Sequence, residues 1–192
     1  ISDKTITRVA AGVKKILKDV DAVIIEDYGK GVVTSQLLKK IFPMAKAKRK
    51  MIAVDPKEEH FDYYKGASLI TPNISEASEI VGFAISDDAQ LKKAGKKIMS
   101  TLNCKMVLMT LGERGMCLFQ RGFDPQIIPT MAQEVYDVSG AGDTVIAAFT
   151  LSFVSGAGPV MAAKIANCAA GIVVGKFGTA VVTPEEIINR IK

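Results

Sequence analysis

An α/β fold on a mainly parallel sheet is what the sequence predicts, and three observations predict it. Helical and strand-type apolar patterns alternate along the chain, the strands are short continuous apolar runs, and three of them end in polar clusters. Thr5 to Leu17 has apolar residues at helical spacing (Ile6, Val9, Val13, Ile16, Leu17), and Ala22-Val23-Ile24-Ile25 follows as a strand of the doubly covered parallel type. A helix over 35–48 leads to a strand over 51–54, and a strand over 68–71 leads to a short helix over 74–81. A helix over 89–102 then leads to a strand over 106–110. Such alternation calls for right-handed crossovers. From Gly115 to Pro129 short strands (116–119 and 126–128) and turns predict an antiparallel edge, and helices follow over about 141–153, 159–174 and 184–191. With no repeat, low-complexity tract or linker, residues 1–192 read as one domain.

Bulk properties exclude several classes. Hydrophobic residues at 48% and charged residues at 23% are a globular balance. The longest apolar runs fall far short of the roughly 18 residues a membrane span needs, and no secretory leader pattern opens the chain. Cys104, Cys117 and Cys168 have no metal-ligand spacing and read as buried hydrophobes of a reducing compartment. His60 is the only histidine, which disfavours zinc or a Ser-His-Asp relay and reads as a surface or turn residue. The net charge of +5 suits an anionic ligand, although the lysine runs over 39–50 and 92–97 sit on polar helix faces. With no tryptophan and no basic stretch interleaved with aromatics, nucleic acid is not an expected partner, and neither is a membrane. The methionines read as core filler. The chain starts at Ile1, almost directly in a helical pattern, and is expected to be a fragment.

The strand-end clusters are Asp27-Tyr28-Gly29-Lys30-Gly31, Asp55-Pro56-Lys57 and Thr71-Pro72-Asn73. In open parallel sheets ligands bind beyond the carboxyl ends of the strands, so the three are expected to line one crevice. The strongest motif is Asp137-Val138-Ser139-Gly140-Ala141-Gly142-Asp143, opening an apolar helix. Gly140 and Gly142 let the backbone approach a phosphate, and the first-turn N–H groups and helix dipole favour the anion. Asp143 in that turn is placed to accept the proton of an attacking hydroxyl. The plain alternative is a tight turn with an ordinary first-turn acid. Asn73-Ile74-Ser75-Glu76 reads equally as a capping box and as a carboxylate and amide placed for hydrated Mg²⁺ and phosphates, and the two are compatible. Thr110-Leu111-Gly112-Glu113-Arg114-Gly115 is either a simple turn or a loop whose glycines admit a nucleotide. A dinucleotide fingerprint fails at Val145, and no Gly-Lys pair continues as a Walker A loop.

These residues resemble the ribokinase-like (PfkB) carbohydrate kinases, whose signature is a Gly-Ala-Gly-Asp run opening a helix, preceded by Asp-x-Ser/Thr, with Asn-x-x-Glu upstream. Here these are Gly140 to Asp143, Asp137 with Ser139, and Asn73 with Glu76. Further stretches place the likeness in the branch that acts on D-glycero-β-D-manno-heptose 7-phosphate: residues 27–31, 54–57, 69–76, 132–139, 166–171 and 173–176. The resemblance covers essentially the whole chain and implies a three-layer α/β/α fold. It implies ATP as phosphoryl donor, Mg²⁺, and phosphorylation of the heptose phosphate at O1 on the way to ADP-heptose and lipopolysaccharide core. Asp143 is then the base, and the N–H groups of Ala141, Gly142 and Asp143 form the anion hole. Asn73 and Glu76 organise Mg²⁺ and the phosphates, with Glu76 reaching the ion through water. Lys57, Thr110, Gly112 and Asn167 surround ATP, Asn167 near the adenine. Asp137 and Ser139 bind a monovalent cation, K⁺, and Asp27 and Lys30 lie at the sugar-phosphate end. The resemblance further implies that an N-terminal part with the first strands, lid and most sugar contacts is missing. An adenylyltransferase region would follow Lys192 in a bifunctional version, and a homodimer is the expected assembly.

Overall fold

The computed structural model describes residues 1–132 and 134–191. Gln133, part of one stretch that carries the resemblance, and Lys192 lie outside the described residues. The elements follow in the order α1 (Asp3–Ile16), β1 (Ala22–Glu26), α2 (Ser35–Ala47), β2 (Met51–Asp55), β3 (Leu69–Ile70), α3 (Ile74–Val81), α4 (Asp88–Leu102), β4 (Met106–Thr110), β5 (Met116–Gln120), β6 (Gln126–Ile128), α5 (Ala141–Val154), α6 (Pro159–Val173) and α7 (Pro184–Ile191). Short 3₁₀ helices cover Glu58–Tyr64 and Gly112–Arg114. The helix starts are set by side chains that accept first-turn N–H groups: Ser2, Thr34, Asn73 and Asp87 cap α1, α2, α3 and α4. No helix among the described residues is long and apolar enough to cross a membrane.

One sheet runs in the order β1-β2-β3-β4-β5-β6, with β1 to β4 parallel and β5 and β6 antiparallel. The turn-rich stretch after Gly115 is thus the antiparallel edge that its composition suggests. Strand alternation divides the core between two faces. Ile52, Val54, Ile70 and Val107 pack under Leu38 and Phe42 of α2 and Leu91 and Ile98 of α4. Met51, Ala53, Leu69 and Leu108 meet Ile146 and Phe149 of α5 and Ala163 and Ala166 of α6. The fold is therefore three-layered, α/β/α. The alanines of α6 keep α5 and α6 close together, which fixes the height of the α5 tip above the sheet.

Two expectations need correction. The run over 22–25 is not covered on both faces: Ile24 is 39% exposed, and among the described residues β1 pairs with β2 alone. β3 is two residues long rather than four, although Ser68 N–H still donates to Ile52 O and Thr71 N–H to Val54 O. Pro72 follows at once and brings no donor to continue the ladder.

Candidate active site

The carboxyl ends of β1 and β2 deliver Glu26 and Asp55, and the N-terminus of α5 packs across both strands. Gly140 makes this approach possible. As N-cap it adopts a left-handed φ of 77°, which turns the chain from the 137–139 loop into the helix. Gly142 faces Asp55: a Cβ there would stand 3.6 Å from its Oδ2, in ordinary contact. No side chain caps α5. Among the described residues, the N–H groups of Gly142 and Asp143 meet no protein acceptor, so they remain available to an anion. Ala141 corrects the expected trio of donors: its N–H is spent on the carbonyl of Val138 at 3.2 Å, closing the turn that precedes the helix.

Glu26, Asp55 and Asp143 bring carboxylate oxygens within 4.8 Å of one another. Burial, then the charges of Asp55 and Asp143, push Glu26 up to about 8. Burial pushes Asp55 up to about 6, although the Thr71 hydroxyl donates to its Oδ1 at 2.8 Å and opposes the shift. Three clustered carboxyls with hard oxygen donors are a donor set that fits a divalent cation such as Mg²⁺. The cluster also makes stability fall as pH rises. Above the ordinary value of 4.5 an unfolded chain has released the Glu26 proton, whereas the folded chain keeps it until about 8. Folding free energy is lost across that window and the loss levels off above it. Asp55 acts in the same sense between 3.8 and about 6. Glu26 is only half buried and solvent screens its charge, so Glu26→Gln is expected to gain about 1–2 kcal/mol over wild type at pH 8.5 and almost nothing at pH 4. Urea denaturation in divalent-free buffer checks this, and an equal gain at both pH values contradicts it.

The phenol of Tyr28 donates to both oxygens of Asp143, at 2.9 and 2.7 Å. Its neighbour Asp27 corrects the expected substrate contact. Strand alternation sends Asp27 away from Glu26 and into the protein, where it is 8% exposed. Its Oδ1 accepts the Gly29 N–H at 2.9 Å, and its Oδ2 meets Tyr64 Oη at 2.7 Å and His60 Nδ1 at 2.8 Å. Burial pushes Asp27 up, but the hydrogen bonds of Tyr64, His60 and Gly29 outweigh it and hold the carboxyl below its ordinary range. With both oxygens so engaged, Asp27 anchors the loop rather than holding a sugar phosphate. His60 is half buried, stacked on Tyr63 and paired with Asp27, so it is not a free surface residue. Asp27→Ala takes the 2.7 Å acceptor from the buried Tyr64 hydroxyl, leaving it the Lys57 N–H at 3.0 Å and a long contact to Lys57 O at 3.4 Å, and frees His60 and the Gly29 N–H; it is expected to cost about 2–3 kcal/mol, read as a lower urea midpoint, and a cost below about 1 kcal/mol contradicts the anchor.

Other expected residues fall as follows. Asn73 and Glu76 form a complete capping box: Glu76 N–H donates to Asn73 Oδ1 at 2.9 Å and Asn73 N–H to Glu76 Oε2 at 2.8 Å. Glu76 is close enough to raise Asp55, and burial raises its own carboxyl. The box and the acidic site therefore coexist, with Ile74 and Ser75 in the first turn of α3. Thr110 ends β4 beside this tip, bridged to Asn73 and donating its N–H to Pro72 O at 3.0 Å. Gly112 lies just beyond in open space at a φ of 59°. The Lys57 ammonium pairs with Glu58 while its stem packs beside Gly29, and Lys30 is exposed on the next loop. Asp137 accepts from Ser139 N–H at 2.9 Å and Gly178 N–H at 3.2 Å, tying the glycine turn to the loop after α6. Asn167 is 4% exposed, and its Nδ2 donates to Pro129 O at 2.6 Å, which braces the wall between α6 and β6. Glu26 is the functional residue that motif reading missed. Alternation along β1, applied to the Glu26-Asp27 pair, would have found it.

The fold has counterparts among solved structures. Arabidopsis thaliana ribokinase complexed with ribose and ATP superposes with a TM-score of 0.80 at 23% identity, covering 100% of this chain and 60% of that one. The tetrameric inhibited form of phosphofructokinase-2 from Escherichia coli gives 0.81 at 17% identity, covering 98% and 61%. At such identities these likenesses establish the ribokinase-like fold. The model of the pfkB family carbohydrate kinases matches residues 2–186, and the chain belongs to that family. It is 42% identical over 192 residues to the bifunctional protein HldE of Desulfatibacillum aliphaticivorans, covering 100% of this chain and 39% of the relative. With the HldE protein of Caulobacter sp. it shares 46% over 174 residues, covering 90% and 36%. The chain thus spans between a third and two fifths of the length of these relatives.

Proposed function

We propose that the full-length protein transfers the γ-phosphoryl group of ATP to O1 of D-glycero-β-D-manno-heptose 7-phosphate, giving the 1,7-bisphosphate, in the cytoplasmic route to ADP-heptose. One observation carries the reading. Among the described residues, the Asp143 carboxylate stands beside two N–H groups without a protein acceptor at a glycine-opened helix tip, with a hydroxyl group already donating to it. The sugar O1–H takes the place of that hydroxyl and gives its proton to Asp143, while O1 forms the new bond to phosphorus and the bond to the ADP oxygen breaks. Gly142 and Asp143 N–H hold the phosphoryl oxygens as charge shifts. Glu26 and Asp55, with Glu76 beside them, would hold Mg²⁺ next to Asp143, and the ion would supply charge neutralisation to the phosphates. Lys57, Thr110 and Gly112 face the nucleotide, Lys30 pairs with the 7-phosphate, and Asp137 with Ser139 serves a K⁺ ion.

The specificity for heptose rests on the similarity to the HldE proteins together with the stretches over 27–31 and 132–139. ADP release from the full-length protein, measured across heptose 7-phosphate, fructose 6-phosphate and ribose, tests it. The expected kcat/KM favours the heptose phosphate by about 100-fold or more. A better rate with another sugar overturns the substrate, and thermal stabilisation by ATP without turnover on any sugar overturns the enzyme.

A further inference from the structure

Phosphoryl transfer by Asp143 gives Tyr28 no role, yet the Tyr28 hydroxyl is the group that meets both oxygens of the base. Tyr28 is 63% exposed, so packing does not hold its ring there; the two hydrogen bonds do. The root of its loop is fixed by Asp27, which is clamped by Tyr64, His60 and the Gly29 N–H. Beyond that root Gly29 and Gly31 turn the chain at left-handed φ values of 65° and 82°, and neither carries a Cβ that would restrict a change of backbone conformation. A movable O–H donor thus occupies the position that the acceptor O–H needs.

We infer that Tyr28 is a positioning residue that guards the base: its phenol holds Asp143 while no sugar is bound, keeps water from it, and yields to the sugar hydroxyl. This rests on the reading of Asp143 as base. Without the guard, a water molecule can donate its proton to Asp143. Its oxygen then bonds to the γ-phosphorus while the bond to the ADP oxygen breaks, so ATP is hydrolysed to ADP and phosphate. With the guard, only an acceptor held by its own contacts displaces the phenol, and that displacement raises the KM for the sugar.

The test measures ADP release by full-length protein with ATP and Mg²⁺, with and without heptose 7-phosphate, for wild type and Tyr28→Phe. Sugar-independent hydrolysis is expected to rise more than about threefold in Tyr28→Phe while kcat with sugar changes less and the KM for sugar falls. The extra hydrolysis should vanish in Tyr28→Phe combined with Asp143→Asn. Val32→Ala, an exposed change on the same loop, separates loop loosening from loss of the hydroxyl and should leave hydrolysis at the wild-type level. A smaller rise in Tyr28→Phe, an equal rise in Val32→Ala, or hydrolysis that survives the loss of Asp143 overturns the inference. If wild type transfers nothing to heptose 7-phosphate, the proposed substrate fails, and the sugar-free arms still decide whether Tyr28 guards the base.

Discussion

Asp143→Asn is expected to lower kcat about 100-fold or more in the full-length protein while leaving the fold in place. An asparagine amide keeps the size and accepts a hydrogen bond through one oxygen, but it cannot take a proton from the acceptor hydroxyl. The change is local because Asp143 is not a packing residue. Its carboxylate meets the Tyr28 hydroxyl and the charges of Glu26 and Asp55, whereas the buried side of α5 is made by Val145, Ile146 and Phe149. A first-turn acid contributes about 0.3–1 kcal/mol through the helix dipole, and relief of repulsion inside the acidic cluster offsets that loss. The melting midpoint should therefore barely move while turnover collapses. A variant that keeps more than about a tenth of wild-type kcat removes Asp143 from the role of base.

Gly115→Ala is expected to cost at least about 3 kcal/mol, a drop of about 6–12 °C in the melting midpoint of a chain this size. Gly115 has φ 86° and ψ −120°, a region that residues with a Cβ scarcely enter. The added Cβ would lie 2.2 Å from Ile128 O and 2.5 Å from Thr130 N, both backbone atoms that cannot swing aside. Relief would have to come from separating β6 from β5, which Ile128 and Met116 pair in register. Gly112, three residues earlier in the same loop, is the contrast. Its Cβ would meet nothing within 4 Å, so Gly112→Ala should cost about 1 kcal/mol for its left-handed backbone alone. Equal losses at the two positions in a thermal melt would contradict the packing account.

That loop also shows what a sequence discloses. Two glycines in the run over 110–115 suggest close approach by a nucleotide, but only the fold reveals that Gly115 makes room for neighbouring backbone and Gly112 for open space. Elements whose signals are local were legible to the residue: α3 starts after Asn73 because its cap and Glu76 are three apart, and α7 starts at Pro184. The α/β alternation was legible because buried runs and amphipathic periods differ. The exposure of β1 was not, since an apolar run does not state how many neighbours it has. The 3₁₀ segment over 58–64 has no hydrophobic period, and its shape depends on Tyr64 reaching Asp27, 37 residues earlier. In the site, the glycine tip and Asp143 could be read from a contiguous motif. Asp55 lay in a strand-end cluster, but its partnership with Glu26 arises from the parallel register of β1 and β2. The internal duties of Asp27 and Asn167 depend on partners far along the chain and left no local mark.

The central claim is that one helix tip holds the phosphoryl group while Asp143 receives the sugar proton. A crystal structure of the full-length protein with a non-hydrolysable ATP analogue, Mg²⁺ and heptose 7-phosphate tests it most directly. The account predicts O1 of the sugar within about 3.2 Å of an Asp143 oxygen, with Tyr28 displaced and γ-phosphate oxygens on the N–H groups of Gly142 and Asp143. A γ-phosphate remote from the α5 tip, or an O1 facing any other side chain as its proton acceptor, would contradict it.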